Sequence, residues 1–444
     1  MWELGILLAV AAGGMAKAVY ETNISLRHRI SEMESYGLTV EKVSTIGFLL
    51  DEELHAGDGV VRITWRKTSR KNGRFRLRIA IPGLAGFDIS IRPESPVLKW
   101  TPEIALGAPE LDDAFSVQGP DRVVSALLDA EARRLMLAID NGSRSLRLQY
   151  GEVEAEIKET ELVRLLPQML DLGHRFAGLG DIRQKLAENA RQDPEPGVRL
   201  HNLLLLVHES PEAADSREAL RQACLDPSPR VRLGAALELG SEARNTLLEL
   251  AEETEDDGIS AQAIARLSGE LTVQQARDLL LAALRRRHLE TARSCLTALA
   301  ASGTAEAVEA LVEVLDRESG DLAIAAAEAL GAAGNPAAEP ALIRALERPA
   351  ANLQAAAARA LGRVGTAAAV LPLKEAREGS LSINLLRATR QAIAEIQSRL
   401  PAASAGQLSI AETEAGQLSF ASDPGGQLSM PPPEAHRNLP RQRS

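Results

Sequence analysis

Histidines and acidic residues are the side chains from which a catalytic or metal centre would be built, and this chain scatters them. Its histidines lie at positions 28, 55, 174, 201, 208, 288 and 436. Only His208 is followed directly by a glutamate, and one His-Glu pair does not make a metal site. The patterns of zinc proteases, serine hydrolases and nucleotide-binding loops are also missing. The sequence therefore predicts no catalytic residue, no metal and no cofactor, and it places His208 at the surface.

Two cysteines, Cys224 and Cys295, stand in apolar helical stretches rather than at metal-ligand spacing. Ser294 and Cys295 are neighbours, but no general base accompanies them in a motif, so neither is predicted as a nucleophile. We expect both thiols to be small core residues of a protein in a reducing compartment.

The most specific spacing lies in residues 401–444, where Gly-Gln-Leu-Ser recurs every ten residues and is always followed by a hydrophobic residue. The candidate docking residues are Gln407, Leu408, Ser409, Ile410, Gln417, Leu418, Ser419, Phe420, Gln427, Leu428, Ser429 and Met430. Two apolar side chains around a serine would suit strand addition to a partner's sheet edge, and three copies would raise avidity. The alternative is a low-complexity tail produced by replication slippage.

A second candidate surface is a basic hairpin face made of Arg62, Arg66, Arg74, Arg76 and Arg78. Apolar side chains alternate with these arginines, which is typical of strands with one buried face. Asn72-Gly73 favours a tight turn between the two strands. The cationic face could contact anionic lipid headgroups. The alternative interpretation is the solvated face of a sheet.

A repeat in the sequence predicts the secondary-structure elements that must position such residues. Gly303, Gly334 and Gly365 stand 31 residues apart, and Leu299, Leu330 and Leu361 keep the same interval. Leu311, Leu342 and Leu373 do so as well. A fixed period of this length in Ala- and Leu-rich sequence predicts stacked helix pairs, each of which buries its apolar stripe against its neighbours.

Further copies are marked by Asp226-Pro-Ser-Pro-Arg-Val-Arg232 with Ala235 to Leu237, and by Ala-Leu-Gly at 329–331 and 360–362. This pattern resembles the HEAT-repeat family, in particular the bacterial HEAT-like repeats named after phycobilin (PBS) lyases. The resemblance implies an α-solenoid over residues 198–400. Members of the family mostly bind proteins, and some are bilin lyases.

The sequence before the repeats predicts an α+β domain over residues 22–178 and a linker over 179–197, where Asp193-Pro-Glu-Pro-Gly197 would stop a helix. Strands are expected at Phe87–Ile91, Leu146–Tyr150 and Val153–Ile157. Helices are expected from Asp121 to Ile139 and from Glu161 to Phe176. The fold class is thus an α+β N-terminal domain, then an all-α solenoid, then a disordered tail over residues 401–444.

Residues 1–20 contain an apolar run, 4–19, that is shorter than a comfortable membrane span and is followed by basic residues. It is interpreted as an anchor to the inner membrane that leaves the chain in the cytoplasm, as a buried or amphipathic helix, or as a cleaved signal, although Glu3 stands where a signal would carry positive charge. A net charge of -11 and the absence of Trp and Tyr from the repeats argue against nucleic-acid binding.

These observations together predict a non-catalytic bacterial scaffold that binds protein partners through the solenoid and the tail. Partner contact is expected on the second helix of each pair, at Arg344, Glu347, Lys374, Arg377 and Glu378. The Ala-rich faces at 323–329 and 355–360 are interpreted as packing surfaces only. The alternative function is a bilin-lyase-like enzyme or enzyme subunit.

Overall fold

A computed structural model describes residues 33–46, 51–69, 74–94, 103–209, 214–378 and 380–399, with isolated residues at 27, 30, 31 and 211. The apolar run 4–19, the Asn72-Gly73 turn and the three Gly-Gln-Leu-Ser segments lie outside these residues. The described residues fall into two compact units, which divide between Leu267 and Ser268. Within the described part of the chain, every helix is too short or too polar to span a bilayer.

The first unit is built on an antiparallel sheet with strand order β1-β2-β3-β4-β8-β7-β5-β6. The strands are β1 (Thr39–Ile46), β2 (Asp51–Gly57), β3 (Arg62–Ser69), β4 (Arg74–Ala80), β5 (Ser90–Pro93), β6 (Phe115–Gln118), β7 (Ser143–Gln149) and β8 (Glu152–Lys158). The hairpin of β3 and β4 forms as the alternation predicts. Strand β5 begins three residues later than expected, because residues 87–89 belong to the turn before it.

Helices cover the apolar face of the sheet. They are α1 (Pro109–Ala114), α2 (Asp121–Leu127), α3 (Ala130–Gly142) and α4 (Leu162–Ala177). The predicted helix from Asp121 to Ile139 is wrong as a single element. It breaks at Leu128, because Asp129 accepts the backbone N–H of Ala132 and caps a new helix there. Beneath the helices Trp65 and Phe75 meet edge to face, with ring centroids 5.2 Å apart.

The helices that complete the first unit are α5 (Ile182–Gln192), α6 (Pro196–Glu209), α7 (Ala214–Ala223), α8 (Pro229–Leu239), α9 (Arg244–Glu253) and α10 (Asp257–Leu267). Helix α5 and the turn after it occupy the predicted linker 179–197, so that prediction is wrong. The segment is packed: the Asn189 side chain donates to the Ser125 carbonyl at 3.0 Å. A Cβ on Gly197 would lie 2.2 Å from the Gly107 carbonyl oxygen, so the two backbones touch.

Two buried arginine–aspartate pairs join successive elements of the first unit. Arg133 of α3 binds both carboxylate oxygens of Asp193, at 2.9 and 2.7 Å. Arg199 of α6 binds both oxygens of Asp226 at 2.8 Å and also donates to the Asp193 carbonyl at 2.7 Å. Arg232 makes the equivalent contact in the next motif, where its guanidinium donates to the Asp226 backbone carbonyl at 2.9 Å. The Asp-Pro-x-Pro-x-Val-Arg motif is therefore a recurring structural turn. In each copy the aspartate binds an arginine from an earlier helix, Arg133 of α3 for Asp193 and Arg199 of α6 for Asp226.

The second unit is helical throughout its described residues. Its helices are α11 (Val273–Arg286), α12 (Leu289–Ser302), α13 (Ala305–Arg317), α14 (Gly320–Ala333), α15 (Glu339–Glu347), α16 (Ala351–Val364), α17 (Val370–Arg377) and α18 (Ile383–Arg399). They alternate between two layers, and α12, α14, α16 and α18 pack side by side in one of them. The periodic leucines of the sequence are all buried. The expected fold class, a mixed domain followed by a helical repeat region, is confirmed.

We predict that Arg133→Ala lowers the free energy of unfolding of the first unit by about 3–5 kcal/mol, because it leaves the Asp193 carboxylate buried without its partner. All three tryptophans, at positions 2, 65 and 100, precede residue 268, so urea unfolding followed by tryptophan fluorescence reports on this unit. Arg134→Ala is the matched control, since Arg134 pairs with Glu131 in solvent on the same helix. Equal effects of the two substitutions would contradict the prediction.

The Asp226 pair also predicts a pH dependence. Burial alone raises the pKa of Asp226, but hydrogen bonds from Arg199 and from the Ser228 backbone outweigh it and hold the pKa below 3.8. A depressed folded pKa gives stability that is present above the unfolded pKa and lost as the pH falls through the folded one. Asp226→Asn should therefore destabilise the chain at pH 7, and the difference in urea midpoint from wild type should shrink below about pH 4.

Asp140 provides a control of opposite sign, because burial raises its pKa. Asp140→Asn should stabilise the chain at pH 7, and that gain should fade as the pH falls. A constant difference for Asp226→Asn between pH 7 and pH 3 would show that its charge contributes nothing.

Candidate functional site

A groove of about 750 Å³ lies along α12, α14 and α16 of the second unit. Its floor is made of small side chains, among them Ala325, Ala329, Ala356 and Ala360. Most alanines of the faces at 323–329 and 355–360 are buried, as expected of packing surfaces, and four of these alanines also line the groove. These alanines pack the helices together, and the surface that results is the base of an open groove.

Side chains at equivalent positions of the repeat line the groove in rows, each row containing one residue from each helix at the same level along the helix axis. Thr297, Glu328 and Arg359 follow one another at intervals of 31 residues, one on each helix. Ala301, Ala332 and Arg363 form a second row with the same interval. Parallel helices in a common register bring such positions side by side.

The charges in the groove are solvated and only partly matched. Glu328 and Arg359 form an ion pair of 2.9 Å with about half of each side chain exposed (54% and 49%). Arg293 and Asp321 face each other at 3.9 Å. Arg363 lies exposed at the end of the groove nearest to α18. An exposed ion pair contributes little stability, so a ligand can replace one member at low cost.

Close helix packing creates the groove. A Cβ on Gly331 of α14 would lie 2.8 Å from Ala360 of α16, and one on Gly362 would lie 3.2 Å from Ala392 of α18. A Cβ at Gly331 would have no room at this approach, so the glycine permits the close spacing of α14 and α16 in the groove, whereas a Cβ at Gly362 would require only a small shift of α18.

The positions predicted for partner contact lie on the other layer of helices. Arg344 and Glu347 belong to α15, and Lys374 and Arg377 belong to α17 with Glu378 following it. None of these residues lines the groove, and Arg344 pairs with Asp316 of α13 at 2.9 Å. The groove could have been predicted from positions 297, 328 and 359 of the sequence. The residue there changes from Thr to Glu to Arg between copies of the repeat, while the alanine that follows it is the same in each copy.

The basic hairpin face of the first unit is matched by a row of carboxylates. Arg74 reaches Glu156 at 3.5 Å, Arg76 reaches Glu154 at 3.3 Å, and Arg78 reaches Glu152 and Glu154 at 3.3 and 3.1 Å. In the direction away from β8, Arg62 of β3 lies 3.5 Å from Glu41 of β1. Backbone register places Arg66 opposite Glu53. The face is thus an array of mixed charge rather than a purely cationic one.

The remaining chemistry-bearing residues are dispersed. His208 lies 3.3 Å from Glu238, while Glu209 pairs with Arg122 at 2.7 Å. Cys224 and Cys295 are both buried and free. Among the described residues no three His, Cys, Asp or Glu side chains converge as they would to hold a metal ion.

A helical repeat with an open, charged groove is typical of solenoid proteins, and comparisons agree on the class. Residues 314–394 match the family model described as HEAT repeats, and residues 291–317 match the one described as PBS lyase HEAT-like repeat. These matches, over residues 291–394, lie in the C-terminal half of the chain, where the sequence pattern predicts HEAT repeats.

No curated protein matches the chain at the level of significance applied. The solved structures that it resembles include human deoxyhypusine hydroxylase in complex with glycerol. The identity is 16% over 49% of this chain and 96% of that one, with a TM-score of 0.23. No residue role is transferred from that protein.

We predict that Glu154→Gln lowers the unfolding free energy of the first unit by about 1–3 kcal/mol, because Arg76, Arg78 and Arg147 all surround this one nearly buried carboxylate. Tryptophan fluorescence in urea measures it, since Trp65 is buried in the same sheet. Glu152→Gln is the control, because its pair with Arg78 is 41% exposed on both sides and its loss should cost less than about 1 kcal/mol.

Proposed function

We propose that this chain is a non-catalytic scaffold whose HEAT repeats bind an extended segment of a partner protein in the groove of α12, α14 and α16. The observation that carries the proposal is the alignment of Thr297, Glu328 and Arg359 above a floor of alanines. A row of side chains at equal heights matches a ligand that runs across the helices, as an extended peptide does.

The character of the groove supports a peptide rather than a compact small molecule. Its floor offers only methyl groups, while its rim offers arginines and carboxylates at intervals set by the helix spacing. Apolar contacts of this kind are weak singly and require a long ligand to sum to useful affinity. The rim charges would then select the partner and its direction.

The cellular setting that we propose is the bacterial cytoplasm, with residues 4–19 as a tether to the inner membrane. Support comes from the two cysteines. Burial raises the pKa of both thiols, that of Cys295 to about 12, so they are unreactive core residues that need no oxidising environment.

A bilin-lyase-like enzyme or enzyme subunit remains the second candidate, because one of the matching family models is described by the PBS lyase repeat. That function requires a bound tetrapyrrole. Expression beside a bilin pathway distinguishes the two, since the enzyme would copurify with visible absorbance and the scaffold would not.

The test of the scaffold uses a bulky residue placed in the groove. Ala332 is exposed and lines the groove, so Ala332→Trp should fill it without disturbing the core. Ala337 is equally exposed but lies outside the groove, which makes Ala337→Trp the matched control.

We expect Ala332→Trp in the tagged full chain to lower the recovery of stably copurifying proteins at least tenfold, and Ala337→Trp to leave it unchanged. Quantitative mass spectrometry of the captured proteins measures the ratio. Unchanged recovery with Ala332→Trp would rule out the groove as the binding surface.

A further inference from the structure

The point at which the described chain ends is fixed beside the groove. Arg399, in the last turn of α18, donates to the backbone carbonyls of Gly362 and Gly365, the latter at 2.9 Å. These two glycines flank Arg363, which lines the groove. Residues 401–444 therefore continue from the end of the groove that is nearest to α18.

The charge of these continuing residues complements the charge of the helices that they leave. Residues 401–430 carry three acidic side chains, Glu412, Glu414 and Asp423, and contain no Lys, Arg or His. The adjoining helices expose Arg363 of α16 together with Arg387 and Arg390 of α18. Arg390 lies on α18, the helix that packs beside α16.

Length and chemistry also allow the contact. Neighbouring helices in a layer lie about 8–10 Å apart, so α14 is roughly 20 Å from α18. Ser409 follows Arg399 by ten residues, a stretch that spans at most about 33–36 Å when extended. Leu408 and Ile410 would contribute the apolar side chains that an alanine floor accepts. Because the described residues of this unit contain no strand, the contact would rest on side chains rather than on strand addition.

We propose that the segment from Gly406 to Glu414, containing the first Gly-Gln-Leu-Ser sequence, docks in cis in the groove of α12, α14 and α16. Leu408 and Ile410 lie on the alanine floor, and Glu412 and Glu414 face Arg363 and Arg390. The tether gives the segment a local concentration on the order of millimolar, so weak contacts are sufficient to keep it bound. A partner must then displace the tail, which makes the tail a competitor for the scaffold's own groove.

Disulfide formation in the full chain tests the docking. Ala332→Cys with Ser409→Cys places one thiol in the groove and one in the docked segment. Ala337→Cys with Ser409→Cys is the matched control, because both alanines are exposed and lie 77 and 72 residues from Ser409. The native cysteines are buried and stay in place. Oxidation by glutathione disulfide is followed on non-reducing gels.

We expect the groove pair to form an intramolecular disulfide at least tenfold faster than the control pair. Equal rates would overturn the proposal, because a tether that is not docked visits both positions alike. A disulfide that joins two chains, seen as a dimer band, would also overturn it in favour of a second copy as the occupant.

Charge reversal tests the assignment of the arginines. Arg363→Glu with Arg390→Glu should reduce the rate ratio of the groove pair to the control pair to near one, and 0.5 M NaCl should reduce it in part. A ratio unchanged by the charge reversal would contradict the pairing of Glu412 and Glu414 with these arginines. The assay needs no partner, so its outcome is independent of the partner-capture test of the proposed function.

Discussion

The close approach of small residues between parallel helices determines the functional surface of the second unit. Gly331 lies so close to Ala360 that a Cβ on it would collide, and Gly362 approaches Ala392 so closely that a Cβ would require a small shift of the neighbouring helix. Larger residues on the floor would push the helices apart and destroy the common register. The alanines are therefore fixed by packing, and variation is left to the rim positions, where the repeat exchanges threonine, glutamate and arginine.

A different interaction organises the first unit. Each Asp-Pro-x-Pro-x-Val-Arg turn presents an aspartate to an arginine of the preceding element and an arginine to its own backbone carbonyls. Arg133 fulfils for Asp193 the role that Arg199 fulfils for Asp226, although Arg133 belongs to a helix packed on the sheet. Helix α3 of the sheet domain thus supplies to the first of these turns the contact that α6 supplies to the second. A solenoid needs a cap, because its terminal helices otherwise expose apolar surface.

Local periodicity predicted the β3–β4 hairpin, the buried leucines and the helical repeat, since each follows from spacing within a few residues or from one fixed interval. It failed where distant segments meet. Glu152, Glu154 and Glu156 alternate visibly in the sequence, but nothing in it says that β8 lies beside β4 and neutralises the arginines there. The prediction of a linker over residues 179–197 failed for a different reason, because the information lay in the local sequence itself. Val198-Arg199 is recognisable in the sequence as the copy of Val231-Arg232, 33 residues earlier, but Asp193-Pro-Glu-Pro-Gly197 before it indicates a helix stop rather than a packed turn.

Equal spacing in sequence does not guarantee equal backbone conformation either. Gly303 and Gly334 end their helices with φ of 60° and 67°, whereas Gly365 has φ of -70°. Its N–H instead bonds to the Leu361 carbonyl, and Ile396 of α18 packs within 3.3 Å of where its Cβ would be.

Burial separates the arginines that hold the fold from those available to a ligand. The Arg133 and Asp193 side chains are 6% and 1% exposed, and a buried pair of this kind is costly to break. Arg359 and Glu328 are about half exposed, so their pair contributes little and water already competes with it. A carboxylate of a docking segment that displaces Glu328 therefore exchanges one weak contact for another. The net gain of binding would have to come from many such exchanges along the row, which is the reason that the proposed ligand is a long segment rather than a single charged group.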